Sequence, residues 1–195
     1  MPKNTWIDHY SKLAFSQGYA ARSVFKLQEI AAHHFPPLSG SHILDIGAAP
    51  GSWSQFFAHK TGEKGLVIAV DPRELRITPL PTHIIYIKAN VHDSALEKTL
   101  EKFSPFHIIA SDAATNTTGI AYKDSHDSFT LAYSTLRIAR TLLKRKGLLL
   151  IKIFEGASLL DFQKRLSTDF SNIRIIKPHA SRSRSKERYI LACKR

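Results

Sequence analysis

The sequence predicts an α/β protein built on a mostly parallel sheet whose last strand is antiparallel, with helices on both faces. Three observations carry this. Short apolar runs alternate with segments of helical period through most of the chain, as in sheets whose parallel strands are joined by helices. Most of these runs are rich in Ile, Val and Leu without polar alternation, the mark of strands buried on both faces. Between 176 and 189 there is no helical period, only a Pro, a His and a Ser/Arg run, so the strands on either side are expected to form an antiparallel hairpin.

Taken in order, "SVFKLQEIAA" sets Val24, Phe25, Leu27 and Ile30 around one lysine, an amphipathic helix over 23–32. "HILDI" gives the first strand, 42–46, and a glycine-containing turn leads to a helix over 52–59. "LVIAVD" (66–71) and "IIYI" (84–87) are the next two strands, followed by a helix over 96–102. "FHIIA" (106–110) is the fourth, a long helical period covers 127–143, and "LLLIKIF" (148–154) is the fifth. A helix over 159–166 and strands at 173–176 and 189–193 complete the count at seven.

A chain of 195 residues supports one domain without disulfide or metal staples, here 1–195 with a helical extension over 1–34. Cys193 is the single cysteine and sits in apolar "YILAC", a small core residue rather than half of a disulfide. "MPKNTWIDHYSK" lacks the apolar centre of a secretory signal, and no run approaches the ~18 apolar residues of a membrane span. A cytoplasmic monomer without membrane contact is expected. The ten His suggest no metal site, since His33 and His34 are adjacent and no Cys pair exists.

The net charge is +12, an excess that favours polyanions through counterion release. Residues 1–136 hold 12 Lys/Arg and 12 Asp/Glu, whereas 137–195 hold 16 and 4. The whole excess lies in the last third, which points to a nucleic-acid contact surface.

The turn after the first strand reads "DIGAAPGSWSQFF", with Asp45, Gly47, Ala48, Pro50 and Gly51 ahead of a helix. Glycines allow close backbone approach to a ligand. The turn is not the three-glycine dinucleotide fingerprint, which disfavours a nicotinamide oxidoreductase, and no phosphate loop occurs in the chain. Pro50 removes an N–H that a pyrophosphate would use, and Asp45 suits a cationic ligand. This D-x-G-x-x-P-G turn points to S-adenosylmethionine. Asp71 ends the second strand, where a carboxylate can accept both ribose hydroxyls; its alternative is a cap before Pro72. In "KANVHD", Asn90 or Asp93 is placed to read the adenine amino group. Trp53 either lines the pocket or belongs to the core.

Three more residues reach the carboxyl edge of the sheet. Asp112 follows the fourth strand, Lys152 lies inside "GLLLIKIFEG", and Glu187 opens the last strand. An unpaired ammonium among such neighbours is costly, so the two carboxylates are expected to meet Lys152. Lys26 alone reads as a surface residue of its helix.

The blocks "YAARSVFKL", "DIGAAPGSWSQ", "SDAATNTTG", "GLLLIKIFEG" and "KPHASRSRSKERYI", in this order, resemble the FtsJ/RrmJ family of RNA ribose 2'-O-methyltransferases over nearly the whole chain. The resemblance implies a Rossmann-like S-adenosylmethionine-dependent methyltransferase fold with a seven-stranded sheet. It also implies methyl transfer to a ribose 2'-hydroxyl, in the bacterial members that of a uridine in 23S rRNA of the large ribosomal subunit. The family's Lys-Asp-Lys-Glu tetrad falls on Lys26, Asp112, Lys152 and Glu187, with Asp112 also a cofactor contact. Lys152 would be nearest the hydroxyl, as a base if neutral or steering a lone pair if charged. The chain departs from the pattern with "AATN" after Ser111-Asp112 where Met-Ala-Pro-Asn is usual, Ser52 for Gly, and Asn90 for Asp.

Around Glu187, Arg182, Arg184, Lys186 and Arg188 are expected to hold RNA phosphates, extended by Arg137, Arg140, Lys144, Arg145 and Lys146. The alternative is a catalytically silent RNA-binding or ribosome-assembly factor with the same fold.

Overall fold

The computed structural model describes residues 5–115, 118–182 and 185–195. Two helices, α1 (Thr5–Ser16) and α2 (Val24–His34), precede β1 (His42–Ile46). There follow α3 (Ser52–Thr61), β2 (Leu66–Asp71), β3 (Ile84–Lys88), α4 (Ser94–Glu101), β4 (Phe106–Ser111), α5 (Ala121–Leu142), β5 (Leu143–Phe154), α6 (Ala157–Leu166), β6 (Phe170–Ile176) and β7 (Glu187–Lys194).

One seven-stranded sheet runs β3-β2-β1-β4-β5-β7-β6. The first five neighbours pair in parallel; β7 enters between β5 and β6, antiparallel to both. The antiparallel last strand expected from the sequence is therefore present, and it is interior to the sheet. The strand order reverses between β1 and β4, which opens a crevice at their carboxyl ends, the usual ligand position in such sheets.

Strand residues alternate between two cores, as period-two geometry requires. Leu44, Ile46, Ile68, Val70, Leu149, Ile151 and Ile190 face α4, α5 and α6. Ile43, Val67, Ala69, Leu150, Tyr189 and Leu191 face α1, α2 and α3 through Ala14, Leu27, Ile30 and Phe57. Lys152 has the parity of Leu150, so it points to the side that carries α2. α1 is held there by Ala14 and by Tyr10, whose ring lies 5.6 Å from that of Phe25.

Several elements start earlier than their apolar patterns suggest, α5 and β5 by the most. α5 begins at Ala121 rather than 127, because its first turn is polar and anchored by Asp124, which accepts from the Thr118 and Gly119 N–H groups. β5 begins at Leu143 rather than 148, because an irregularity separates the pairs Phe106↔Leu143 and Ile108↔Leu148. No helix among the described residues is long and apolar enough to cross a membrane.

Candidate active site

Four charged side chains from four distant segments meet at the carboxyl edge, on the α2 side of the sheet. Lys152 Nζ lies 2.9 Å from Asp112 Oδ1 and also donates to the Asp112 carbonyl oxygen. Lys26 Nζ lies 2.6 Å from Glu187 Oε1. Lys152 is 9% exposed, and an ammonium so placed needs partners to remain charged. Each lysine thus has its own carboxylate. Glu187 is brought alongside by register, since it pairs with Phe154, two residues beyond Lys152.

A fifth residue joins them. Tyr189, fully buried, donates its hydroxyl to Asp112 Oδ1 at 2.7 Å. Burial pushes the Tyr189 phenol well up, and the Asp112 and Glu187 charges add to this, so it stays protonated as a donor. For Asp112, burial acts to raise the carboxyl, but the Lys152 and Lys26 charges and the Tyr189 hydrogen bond outweigh it, and Asp112 is held below the usual carboxylate range. Tyr189 does not stand out from the apolar run that holds it. Its signal was the "ERY" spacing, because residues two apart on a strand face the same side.

The glycine turn adjoins this group. Gly47 has φ +77°, and a Cβ there would stand 2.5 Å from Ala113 Cα, so the turn closes directly on the backbone after Asp112. Gly51 has φ +122°, and its Cβ would meet Ile77 at 2.6 Å. Asp45 is wholly buried; Ser54 donates to its Oδ2 at 2.6 Å, while Oδ1 has no partner among the described residues. Burial, reinforced by Asp112 and Asp71 against the Ser54 hydrogen bond, raises the Asp45 carboxyl to about 7. A buried carboxylate oxygen without a partner, beside a turn with no room for side chains, fits a cationic ligand lying along the backbone.

A family model described as FtsJ-like methyltransferase matches residues 19–195. The chain belongs to that family. This methyltransferase is 37% identical over 185 residues to the ribosomal RNA large subunit methyltransferase E of Syntrophobacter fumaroxidans, covering 94% of this chain and 93% of the relative. It is 38% identical to the protein of the same name from Borrelia duttonii, covering 95% and 94%. Among solved structures, it is similar in fold to a Plasmodium falciparum protein described as a ribosomal RNA methyltransferase, with TM-score 0.77, 24% identity, and 90% and 97% of the two chains covered. Aeropyrum pernix fibrillarin, solved with S-adenosyl-L-methionine, shares the fold at TM-score 0.59 and 15% identity, covering 86% and 72%.

Other residues singled out in the methyltransferase sequence are placed as follows. Asp71 ends β2 at the carboxyl edge, but it is almost fully buried and already engaged. Its oxygens accept from Ala49 N at 3.0 Å and Arg73 N at 2.8 Å, with Arg73 Nε 3.2 Å away. It braces the glycine turn. Asp93 caps α4, accepting from Ala95 N at 2.9 Å. Asn90 is exposed after β3, its Oδ1 bonded to His92 N at 3.1 Å. Trp53 is core rather than pocket lining: it is 2% exposed, its ring is 5.8 Å from that of Tyr189, and its Nε1 donates to the Ser23 carbonyl at 3.0 Å. Ala48 and Pro50 lie in the turn itself.

The loop before Glu187 is tied to α2, since Glu29 accepts from His179 N at 2.9 Å and Ala180 N at 3.3 Å. Arg182 and Lys186 are exposed on it; Arg184 lies outside the described residues. Arg188 pairs with Glu155, whose Oε2 lies 2.6 Å from its Nη2. The expected extension of this surface does not hold. Arg137 pairs with Glu97 at 2.9 Å and Arg140 with Asp169 at 2.7 Å. Lys144, Arg145 and Lys146 stand at the start of β5, hence at the opposite edge of the sheet. A cavity of about 470 Å³ between the ends of α2 and α3, lined by Phe35, Leu38, Phe56 and His59 among others, includes no tetrad residue. Among the described residues no group of His, Cys, Asp or Glu gathers as a metal site would.

Proposed function

We propose that this chain transfers a methyl group from S-adenosylmethionine to a ribose 2'-hydroxyl of large-subunit ribosomal RNA, a uridine of 23S rRNA by the family resemblance. The observation that carries the reading is the double ion pair Lys152–Asp112 and Lys26–Glu187 at the carboxyl edge. When bound, S-adenosylmethionine supplies an electrophilic methyl on a cationic sulfur. Asp45 and the turn through Gly47, Ala48, Pro50 and Gly51 would hold its amino acid end, Asp71 its ribose and Asn90 its adenine. Asp93, committed to capping α4, is the weaker adenine candidate.

Lys152 acts on the nucleophile. Two of the three N–H directions of its ammonium are spent on Asp112; the third is left for the 2'-oxygen, where it orients a lone pair for attack, the hydroxyl proton passing to solvent as the new C–O bond forms and the methyl–sulfur bond breaks. Asp112, held ionised by both lysines and by Tyr189, fixes that ammonium in place. The steering role thus fits the geometry better than the neutral-base role. Lys26 and Glu187 hold α2 against β7, and the exposed Arg182 and Lys186 would draw phosphates to the edge.

The test is methyl transfer from labelled S-adenosylmethionine to unmodified 23S rRNA and to unmodified large subunits, with the Lys152→Ala variant alongside. Label in an alkali-resistant linkage, lost in the variant, supports the reading. Absence of transfer to either substrate overturns it, and absence of cofactor binding as well would indicate a silent RNA-binding factor.

A further inference from the structure

The basic residues displaced from the active edge form a cluster of their own. Between the pairs Phe106↔Leu143 and Ile108↔Leu148, β5 spends five steps against two on β4. The surplus is thrown outward as Lys144, Arg145 and Lys146, all exposed. The local backbone is strained to do this. Lys146 has φ +61°, a left-handed conformation uncommon for a long side chain. At Gly147 a Cβ would sit 2.7 Å from the Lys144 carbonyl oxygen and 3.0 Å from that of His107. Bulges and strained residues of this kind serve to aim side chains.

The end of β7 adds to the cluster. Cys193 pairs with Leu148, and Lys194 Nζ donates to the Leu143 carbonyl at 2.6 Å and the Arg140 carbonyl at 2.7 Å. Its charge is thus set beside the bulge, with Asp169 as the acid that acts on it, and Arg195 follows, exposed. Asp169, the acid at this end, is taken by Arg140. Lys144, Arg145 and Lys146 form no ion pair among the described residues. A face that only needed solubility would mix signs; this one gathers five cations on two adjacent strand ends.

We propose that this amino-edge cluster is a second RNA contact, binding backbone phosphates of the same substrate RNA at a distance from the methylated nucleotide. It rests on the reading that RNA is the substrate. Six strand steps separate Lys146 from Lys152, about 20 Å along β5. An RNA must therefore span the length of the sheet to touch both edges, which selects a large folded RNA over a short strand. The contact carries no base information and acts on affinity and orientation.

The test compares wild type with the triple variant Lys144→Gln, Arg145→Gln, Lys146→Asn, Asn being tolerant of the left-handed backbone. A charge-conserving variant, Lys144→Arg with Arg145→Lys, controls for folding. Binding to a bacterial 23S rRNA transcript and to an oligonucleotide too short to reach both edges is measured across a salt series. On the long transcript, the triple variant is expected to lose affinity roughly tenfold or more and to lower the slope of log K against log salt by about 2–3. The short oligonucleotide should bind unchanged, the conservative variant should behave as wild type, and in transfer assays KM on long RNA should rise with kcat kept. Unchanged affinity and slope on the long transcript overturn the proposal. A loss seen only with assembled subunits does so too, by pointing to an acidic protein. If wild type binds RNA without transferring methyl, the catalytic reading fails while the binding comparison still decides this one.

Discussion

Lys26 on α2 and Glu187 at the head of β7 form an ion pair of 2.6 Å beside the Lys152–Asp112 pair. The contact joins the segment ahead of the sheet to its last strand. Lys26→Ala and Glu187→Ala are each expected to lower methyl transfer, and their effects should not add. A double-mutant cycle should return a coupling of about 1–3 kcal/mol; additive losses would mean that the two residues act separately.

Removing Lys152 takes away the group that meets the nucleophile. Lys152→Ala should reduce kcat by about 10²–10³-fold, as for loss of one preorganised donor, while cofactor affinity changes little. Lys152→Arg should not restore it, because the guanidinium is wider and its donors lie in a fixed plane. Single-turnover kinetics with isothermal titration of the cofactor separate the two effects, and retained turnover in Lys152→Ala would remove this residue from the chemistry.

Tyr189→Phe deletes one hydrogen bond and no volume of note. The cost at Asp112 is expected to be about 1–3 kcal/mol, read as a roughly tenfold fall in kcat with the fold intact by circular dichroism. Unaltered kcat would make the hydroxyl a bystander.

Asp45 carries a pH signature. Its folded carboxyl is raised to about 7 by burial, above its unfolded value. Between about pH 4 and 7 the folded state therefore keeps a proton that the unfolded state has lost, and stability falls as pH rises. Asp45→Asn should match wild type near pH 4 and show a higher Tm at pH 8, by thermal scans across that range. A cationic ligand favours the ionised form, so S-adenosylmethionine should bind wild type more tightly at pH 8 than at pH 6. The Asn variant should bind weakly at both; a wild-type Kd flat across this range would separate Asp45 from the cofactor.

Gly47→Ala should abolish cofactor binding and lower Tm. The position combines φ +77° with a 2.5 Å clash against Ala113 backbone, which cannot move as a side chain tip can. Normal affinity in this variant would contradict the close approach of turn and β4.

The sequence was most informative where burial dictates composition. Seven apolar runs became seven strands because a sheet covered on both faces leaves little choice of residue. Lys152 stood out for the same reason, as one charge in an apolar run. Lys26 did not, because on an amphipathic helix a lysine looks the same whether it faces water or Glu187; the ordered family blocks supplied what periodicity lacked. Trp53 was open to two readings, and its neighbours Tyr189 and Ser23, remote in sequence, settled it as core. The basic residues at the start of β5 misled because sequence distance does not say which edge of a sheet a residue reaches. Only the register of β5 against β4 does.

The interior place of β7 has a bearing on how the site comes into being during synthesis. Until residues 187–194 have emerged, β5 has an open flank, Asp112 lacks its tyrosine and Lys26 its acid, although the turn around Gly47 is already made. A chain interrupted before that strand would carry the donor cleft with Lys152 and Asp112 but neither Tyr189 nor Glu187, so the catalytic group is completed only by the last strand to be made.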